Sequence, residues 1–144
     1  MTSTELADVN VLVAVAYAEH DDHAAALTWL RHVRRFATTP VTEMALVRLL
    51  MNRNVVPGGV TIAEALASLR SIKNLTTAQF WPDATSLADQ RAITAHVVGT
   101  KQVTDTHLLN LAISNGGVLA TFDERLHDCL PQKDRRHVRV LNLR

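Results

Sequence analysis

The chain has 144 residues, a formal net charge of +1 and 47% apolar residues. That length buries a core without disulfide or metal staples and predicts a single domain over residues 1–144, while a charge so near neutral does not by itself announce a nucleic-acid binder. One cysteine, Cys129, excludes an internal disulfide and a multi-thiolate zinc site, and a free buried thiol in a reducing compartment is expected.

Aromatic residues make up only 4% of the chain, so the core must be largely Ala, Val and Leu, which suits helices packed on a sheet. The best apolar run, Val11 to Ala18, is far shorter than the about 20 residues a bilayer span needs. The first 30 residues hold no Lys or Arg, which argues against a secretory leader, and the cytoplasm is the expected location. Basic residues gather at Arg31, Arg34, Arg35, Arg48 and Arg53, and again at Lys133, Arg135, Arg136, Arg139 and Arg144. They are expected either as solvated helix faces or as positive surfaces around a negative pocket.

In chain order, Leu6 to Val9 reads as a short buried strand followed by an apolar helical segment through Tyr17. Ala26, Leu27, Leu30 and Val33 recur at helical spacing between His23 and Arg35. Phe36 to Thr38 is a second strand, stopped by Pro40. Thr42 is the expected N-cap of a helix to about Asn52, and Thr61 with Glu64 forms the capping box of the next. Ala78 to Trp81 reads as a third strand, and Ser86 towards His96 as a helix. Gly99 to Gln102 is a loop, after which Thr104 caps a helix with Leu108, Leu111 and Ala112 on one face, ended by Asn115-Gly116-Gly117. Val118 to Ala120 and Val138 to Leu141 are the last two strands. Helices alternating with short, uniformly apolar strands predict an α/β fold with a mainly parallel sheet of four or five strands, covered on both faces.

In such sheets ligands bind beyond the carboxyl ends of the strands. Four acids fall there. Asp8 ends the first strand, Glu43 lies in the first turn after the second, Asp105 opens the helix after the Gly99–Gln102 loop, and Asp123 follows the fourth strand. Carboxylates grouped in this way suit Mg²⁺ or Mn²⁺, hard ions that take oxygen ligands, polarise a phosphate and acidify an attacking water. Asn10 and Thr121 are placed to orient water or a neighbouring carboxylate. Taken singly, Glu43 and Asp105 are also favourable first-turn residues of any helix, and Asp123 can simply begin a turn. Asp8 is harder to explain in that way, because it interrupts the apolar run Leu6-Ala7-Asp8-Val9, where an unpaired carboxylate is costly. His20 and His23 read as a polar helix start, and Trp29 and Trp81 as core residues. No phosphate-cradling glycine loop and no partnered nucleophile is present.

At these residues the chain resembles the PIN-domain family, and within it the VapC toxins of bacterial toxin–antitoxin pairs. The likeness is carried by Asp8-Val9-Asn10-Val11-Leu12-Val13-Ala14, by Thr38-Thr39-Pro40-Val41-Thr42-Glu43 and by Phe80-Trp81-Pro82-Asp83. Gln102-Val103-Thr104-Asp105-Thr106-His107-Leu108-Leu109 and Leu119-Ala120-Thr121-Phe122-Asp123 complete it. The resemblance implies a three-layer α/β/α sandwich, Mg²⁺ or Mn²⁺ as cofactor, and endoribonuclease action on tRNA or rRNA. It implies Asp8 and Asp105 as principal metal ligands, with Glu43 ligating directly or through water and Asp123 completing the site. A VapB-like antitoxin and a homodimer are the partners it implies. Where relatives often carry Gly-His before Val-Thr-Asp, this chain reads Gly99-Thr100-Lys101, so its choice of RNA is expected to differ. Two other readings compete: a non-catalytic RNA- or partner-binding module, and a phosphohydrolase using Asp8 as nucleophile. The latter is disfavoured because the residue two positions on is Asn10 rather than an acid.

Overall fold

The structure, a computed structural model, describes residues 3–94, 97, 99, 100 and 102–141. Its elements are β1 (Glu5–Ala7), α1 (Val9–Ala16), α2 (His23–His32), β2 (Phe36–Thr38), α3 (Pro40–Met51), α4 (Ile62–Lys73) and β3 (Ala78–Phe80). They continue with α5 (Gln102–Ser114), β4 (Val118–Thr121), α6 (Glu124–Cys129), a 3-10 helix (Gln132–His137) and β5 (Val138–Val140). The five strands form one sheet in the order β3-β2-β1-β4-β5, and every pairing is parallel.

Alternation along the strands divides the core into two layers. Ala7, Phe36 and Ala120 face a cluster that includes Val11, Trp29, Leu46, Ala65 and Ile72, from α1 to α4. Their neighbours Leu6, Ala37 and Leu119 face the other side, against Leu108, Leu109, Leu111 and Ala112 of α5 and Leu126 of α6. The sheet first grows outward from β1 to β2 and β3, then reverses and adds β4 on the far side of β1. Right-handed crossovers built in opposite directions lay their helices on opposite faces, which gives the α/β/α layering. The reversal also opens a switch point between β1 and β4, where their C-terminal ends diverge.

Several boundaries differ from those expected. β1 ends at Ala7, and Asp8 is the N-cap of α1. α3 is capped at Thr39 rather than Thr42, because Pro40 has no N–H to satisfy and its fixed φ suits the first helical position. α5 begins at Gln102, ahead of Thr104, and still carries Asp105 in its first turn. The helix expected from Ser86 is not formed through Thr94, and its far end, His96, lies outside the described residues. Here the Ser86 hydroxyl accepts from Ala88 N–H and Asp89 Oδ1 accepts from Arg91 N–H, local bonds that replace helical ones. α6 and the 3-10 helix were not anticipated, being too short to show a period. Cys129 is exposed, not buried, because it ends α6 on the solvent side. Arg34 and Arg35 lead into β2, and Arg135 and Arg136 into β5, so all four stand at the edge where strands begin, away from the strand exits. Arg144 lies outside the described residues.

After α5, Gly116 takes φ +69° as the helix-terminating glycine, and Gly117 brings the chain against β1. A Cβ at Gly117 would run into the Thr4 carbonyl oxygen and press on Trp81. Gly117→Ala is therefore expected to cost about 2–3 kcal/mol, read as a lower urea midpoint with an unchanged slope.

Candidate active site

Three of the four acids gather at the switch point. Asp8 leaves β1 buried, with Oδ1 accepting from Val9 N–H at 2.7 Å and Oδ2 accepting from the Thr121 hydroxyl at 2.7 Å. Thr121 ends β4 fully buried, and its hydroxyl oxygen also accepts from Asn10 Nδ2 at 3.2 Å and from Asp123 N–H at 3.1 Å. Asn10 Oδ1 accepts from Phe122 N–H at 3.3 Å, which closes a short polar ring joining α1 to the β4–α6 turn. Asp123 caps α6 by accepting from Arg125 N–H at 3.0 Å. Asn10 and Thr121 thus fix one carboxylate and the turn that carries another.

Burial pushes the Asp8 carboxyl up, more strongly than its two hydrogen bonds pull it down, and the nearby Asp123 charge adds to the rise. Asp105 is raised to about 6, by burial first and then by the charges of Asp8 and Asp123. It makes no hydrogen bond or ion pair with any described residue. Like charges held together without a neutralising group are an unfinished electrostatic arrangement.

Glu43 stands apart from this trio. It lies in the first turn of α3, where its Oε2 accepts from the Thr38 hydroxyl and from Lys73 Nζ, each at 2.7 Å. It is not among the charges that raise Asp8 or Asp105. Lys73, at the end of α4, also sits 4.3 Å above the Phe80 ring.

Asp83 was overlooked as a functional residue, although Phe80-Trp81-Pro82-Asp83 stood out as a motif. One of its oxygens accepts from the Thr39 hydroxyl at 2.6 Å and from His107 Nε2 at 2.7 Å, and the other from Val41 N–H at 3.1 Å. Burial opposes its charge, but the bonds from Thr39, His107 and Val41 prevail and hold its carboxyl below the usual range. A Pro-Asp pair after a strand is the signal that could have found it, since the carboxylate is free to accept from the helix start beside it.

A family model for the PIN domain matches residues 6–129. The chain belongs to the PIN-domain family. Ribonuclease VapC39 of Mycobacterium tuberculosis is 41% identical over 132 residues, covering 87% of this chain and 92% of its own length. Ribonuclease VapC29 of the same organism is 43% identical over 124 residues, covering 85% and 88%. Ribonuclease VapC38 is 36% identical over 140 residues, covering 96% and 98%. Within the family this PIN domain therefore groups with the VapC ribonucleases, and its five-stranded parallel sheet between helical layers is the three-layer arrangement expected from the sequence.

The chemistry of the donor set in this PIN domain fits a hard divalent ion. Asp8, Asp105 and Asp123 offer only oxygen, the charges of Asp8 and Asp123 raise Asp105, and no described cation neutralises Asp105. Among the described residues, no three His, Cys, Asp or Glu side chains yet converge closely enough to hold an ion as they stand. The fit is one of charge and ligand type, not of a finished cage. A sizeable cavity lies elsewhere among the described residues. It is an open apolar groove of about 760 Å³ between α3 and α4, lined by Met44, Val47, Met51, Leu66, Leu69 and Phe80, with Glu43 at its border. Its lining is mostly apolar, whereas the switch point offers charge and oxygen ligands, the features that metal-assisted chemistry at phosphate needs.

Proposed function

We propose that this PIN domain is the toxin of a toxin–antitoxin pair, an endoribonuclease that hydrolyses RNA phosphodiesters with Mg²⁺ or Mn²⁺ at Asp8, Asp105 and Asp123. The observation that carries the reading is the trio of mutually repelling carboxylates at the β1/β4 switch point, in a chain that groups with VapC ribonucleases. A divalent ion there supplies Lewis-acid polarisation of the scissile phosphate and a more acidic attacking water. Asp8 and Asp105 would hold the ion. Thr121 and Val9 N–H hold the Asp8 oxygens so that the carboxylate does not rotate away. Asp123 would complete the donor set and offer a carboxylate oxygen to take the proton that hydrolysis releases. Glu43, whose Oε2 is turned to Thr38 and Lys73, would contribute through water.

Among the described residues no helix is long and apolar enough to cross a membrane. The cytoplasm is the proposed location, in keeping with the VapC toxins the chain groups with. Its expected partners are RNA, a second copy of the chain and a VapB-like antitoxin that sets a basic side chain against the carboxylates. Tight RNA binding with the strand left intact and no response to Mn²⁺ would instead identify a binding module.

The test is incubation of total bacterial RNA with the purified, antitoxin-free chain and Mn²⁺, followed by sequencing of new 5′ ends. Discrete new ends that vanish with EDTA and with Asp8→Asn are expected. Intact RNA with bound Mn²⁺, or cleavage that persists with Asp8→Asn, would overturn the proposal.

A further inference from the structure

We infer that Asp83 is a positioning residue for the metal site: it braces the start of α5, and with it Asp105, against the start of α3. The inference rests on the carboxylate trio being that site. Between Phe80 and α5 the described chain forms no helix or strand, so nothing regular sets where α5 begins. Side chains of α5 reach back to this stretch. Asn110 clamps Ile93 through both its backbone groups, and His107 meets Asp83. The second extends beyond this stretch to another element, because Asp83 also takes the Thr39 hydroxyl and the Val41 N–H at the α3 N-terminus.

The brace has a load to resist. Asp8 and Asp123 repel Asp105. The buried apolar residues of α5, Leu108, Leu109, Leu111 and Ala112, all lie after the first turn. Apolar packing thus holds the middle and end of the helix, while its first turn carries the repelled Asp105. Asp83 and His107 are mostly shielded, at 22% and 16% side-chain exposure, so water competes weakly for their bond. An ionised carboxylate only accepts, which fixes His107 Nε2 as the donor.

The experiment is Mn²⁺ titration of the full chain followed by electron paramagnetic resonance, with unfolding curves for each variant. Wild type is compared with Asp8→Asn, Asp83→Asn, His107→Leu and His107→Gln. Asp83→Asn puts an amide donor among three donors, and His107→Leu removes the donor at similar bulk. His107→Gln restores an N–H at the same reach. Asp83→Asn and His107→Leu are expected to bind Mn²⁺ about tenfold more weakly while still folded at the temperature of measurement, with His107→Gln close to wild type. In RNA cleavage the same two variants should lose kcat at low Mn²⁺, recover it at high Mn²⁺ and keep the wild-type KM. Unchanged Mn²⁺ affinity in His107→Leu, or equal loss in His107→Leu and His107→Gln, would overturn the inference; this pair decides even where Asp83→Asn does not fold. Failure of wild type to bind Mn²⁺, or binding undiminished in Asp8→Asn, would instead overturn the metal reading and the inference with it.

Discussion

Asp105→Asn is expected to yield a protein more stable than wild type and inactive on RNA. The folded chain holds the Asp105 carboxyl at about 6, against an ordinary value of 3.8, because burial and the charges of Asp8 and Asp123 disfavour ionisation. At pH 7.5 the ionised group therefore works against folding. The full shift would correspond to ~3 kcal/mol for a buried group, and solvent screening at this partly exposed side chain reduces it to about 1 kcal/mol. Asparagine keeps the size and removes the charge, so the melting temperature should rise by about 3–6 °C. Cleavage should fall by on the order of 10³-fold, since the variant loses a ligand whose charge is felt in the transition state. A variant both less stable and still active would mean that Asp105 is an ordinary first-turn residue. Site residues held at a cost in stability are a recurring trade-off, and the sign of the stability change separates this case from a structural carboxylate.

The second large effect is the response to metal and its dependence on pH. At pH 7.5, Mn²⁺ at a hundred times its dissociation constant should stabilise the chain by about 2.7 kcal/mol, and EDTA should abolish the gain. The sign with pH follows from the carboxyls. Asp105 and Asp8 are raised, so the folded state holds their protons at pH values where the unfolded chain has released them. Metal-free protein should therefore gain stability as pH falls from about 7 through 6 towards 4. Asp83 is lowered, so its contribution has the opposite sense and is lost only at more acid pH, below its ordinary value of 3.8. With Mn²⁺ present the trend reverses, because protons compete with the ion for Asp105. Melting curves at pH 7.5 and 5.0, with and without Mn²⁺, check both signs. A Mn²⁺ shift equal at the two pH values would show that the ion binds away from Asp105.

Much of the fold was legible because local and global signals agreed. Phe36–Thr38, the Thr61–Glu64 capping box and the Gly116 helix stop stand where the residue pattern placed them. The errors have physical causes. Pro40 reads as a barrier, yet at the first helical position it is a starter, which moved the cap from Thr42 to Thr39. The periodic stretch from Ser86 was given to side-chain turns at Ser86 and Asp89 instead of a helix.

The candidate site was legible only as four acids expected near strand exits, because parallel topology makes those positions equivalent. Their grouping was not. Glu43 is drawn towards Lys73 from α4, a pairing across 30 residues that spacing cannot reveal. Asp83 escaped notice for a similar reason, since its role depends on His107, 24 residues away, and Thr39, 44 residues away. The basic runs were legible as runs, but only the sheet shows that Arg34, Arg35, Arg135 and Arg136 lead into strands instead of following them.

The most direct test of the central claim is anomalous scattering from crystals of the chain grown with Mn²⁺. The account predicts a strong peak bonded to carboxylate oxygens of Asp8 and Asp105 at the β1/β4 switch point, absent from crystals of Asp8→Asn. A peak seated only at Glu43 or Asp83, or none at the switch point in protein that still cleaves RNA, would contradict it.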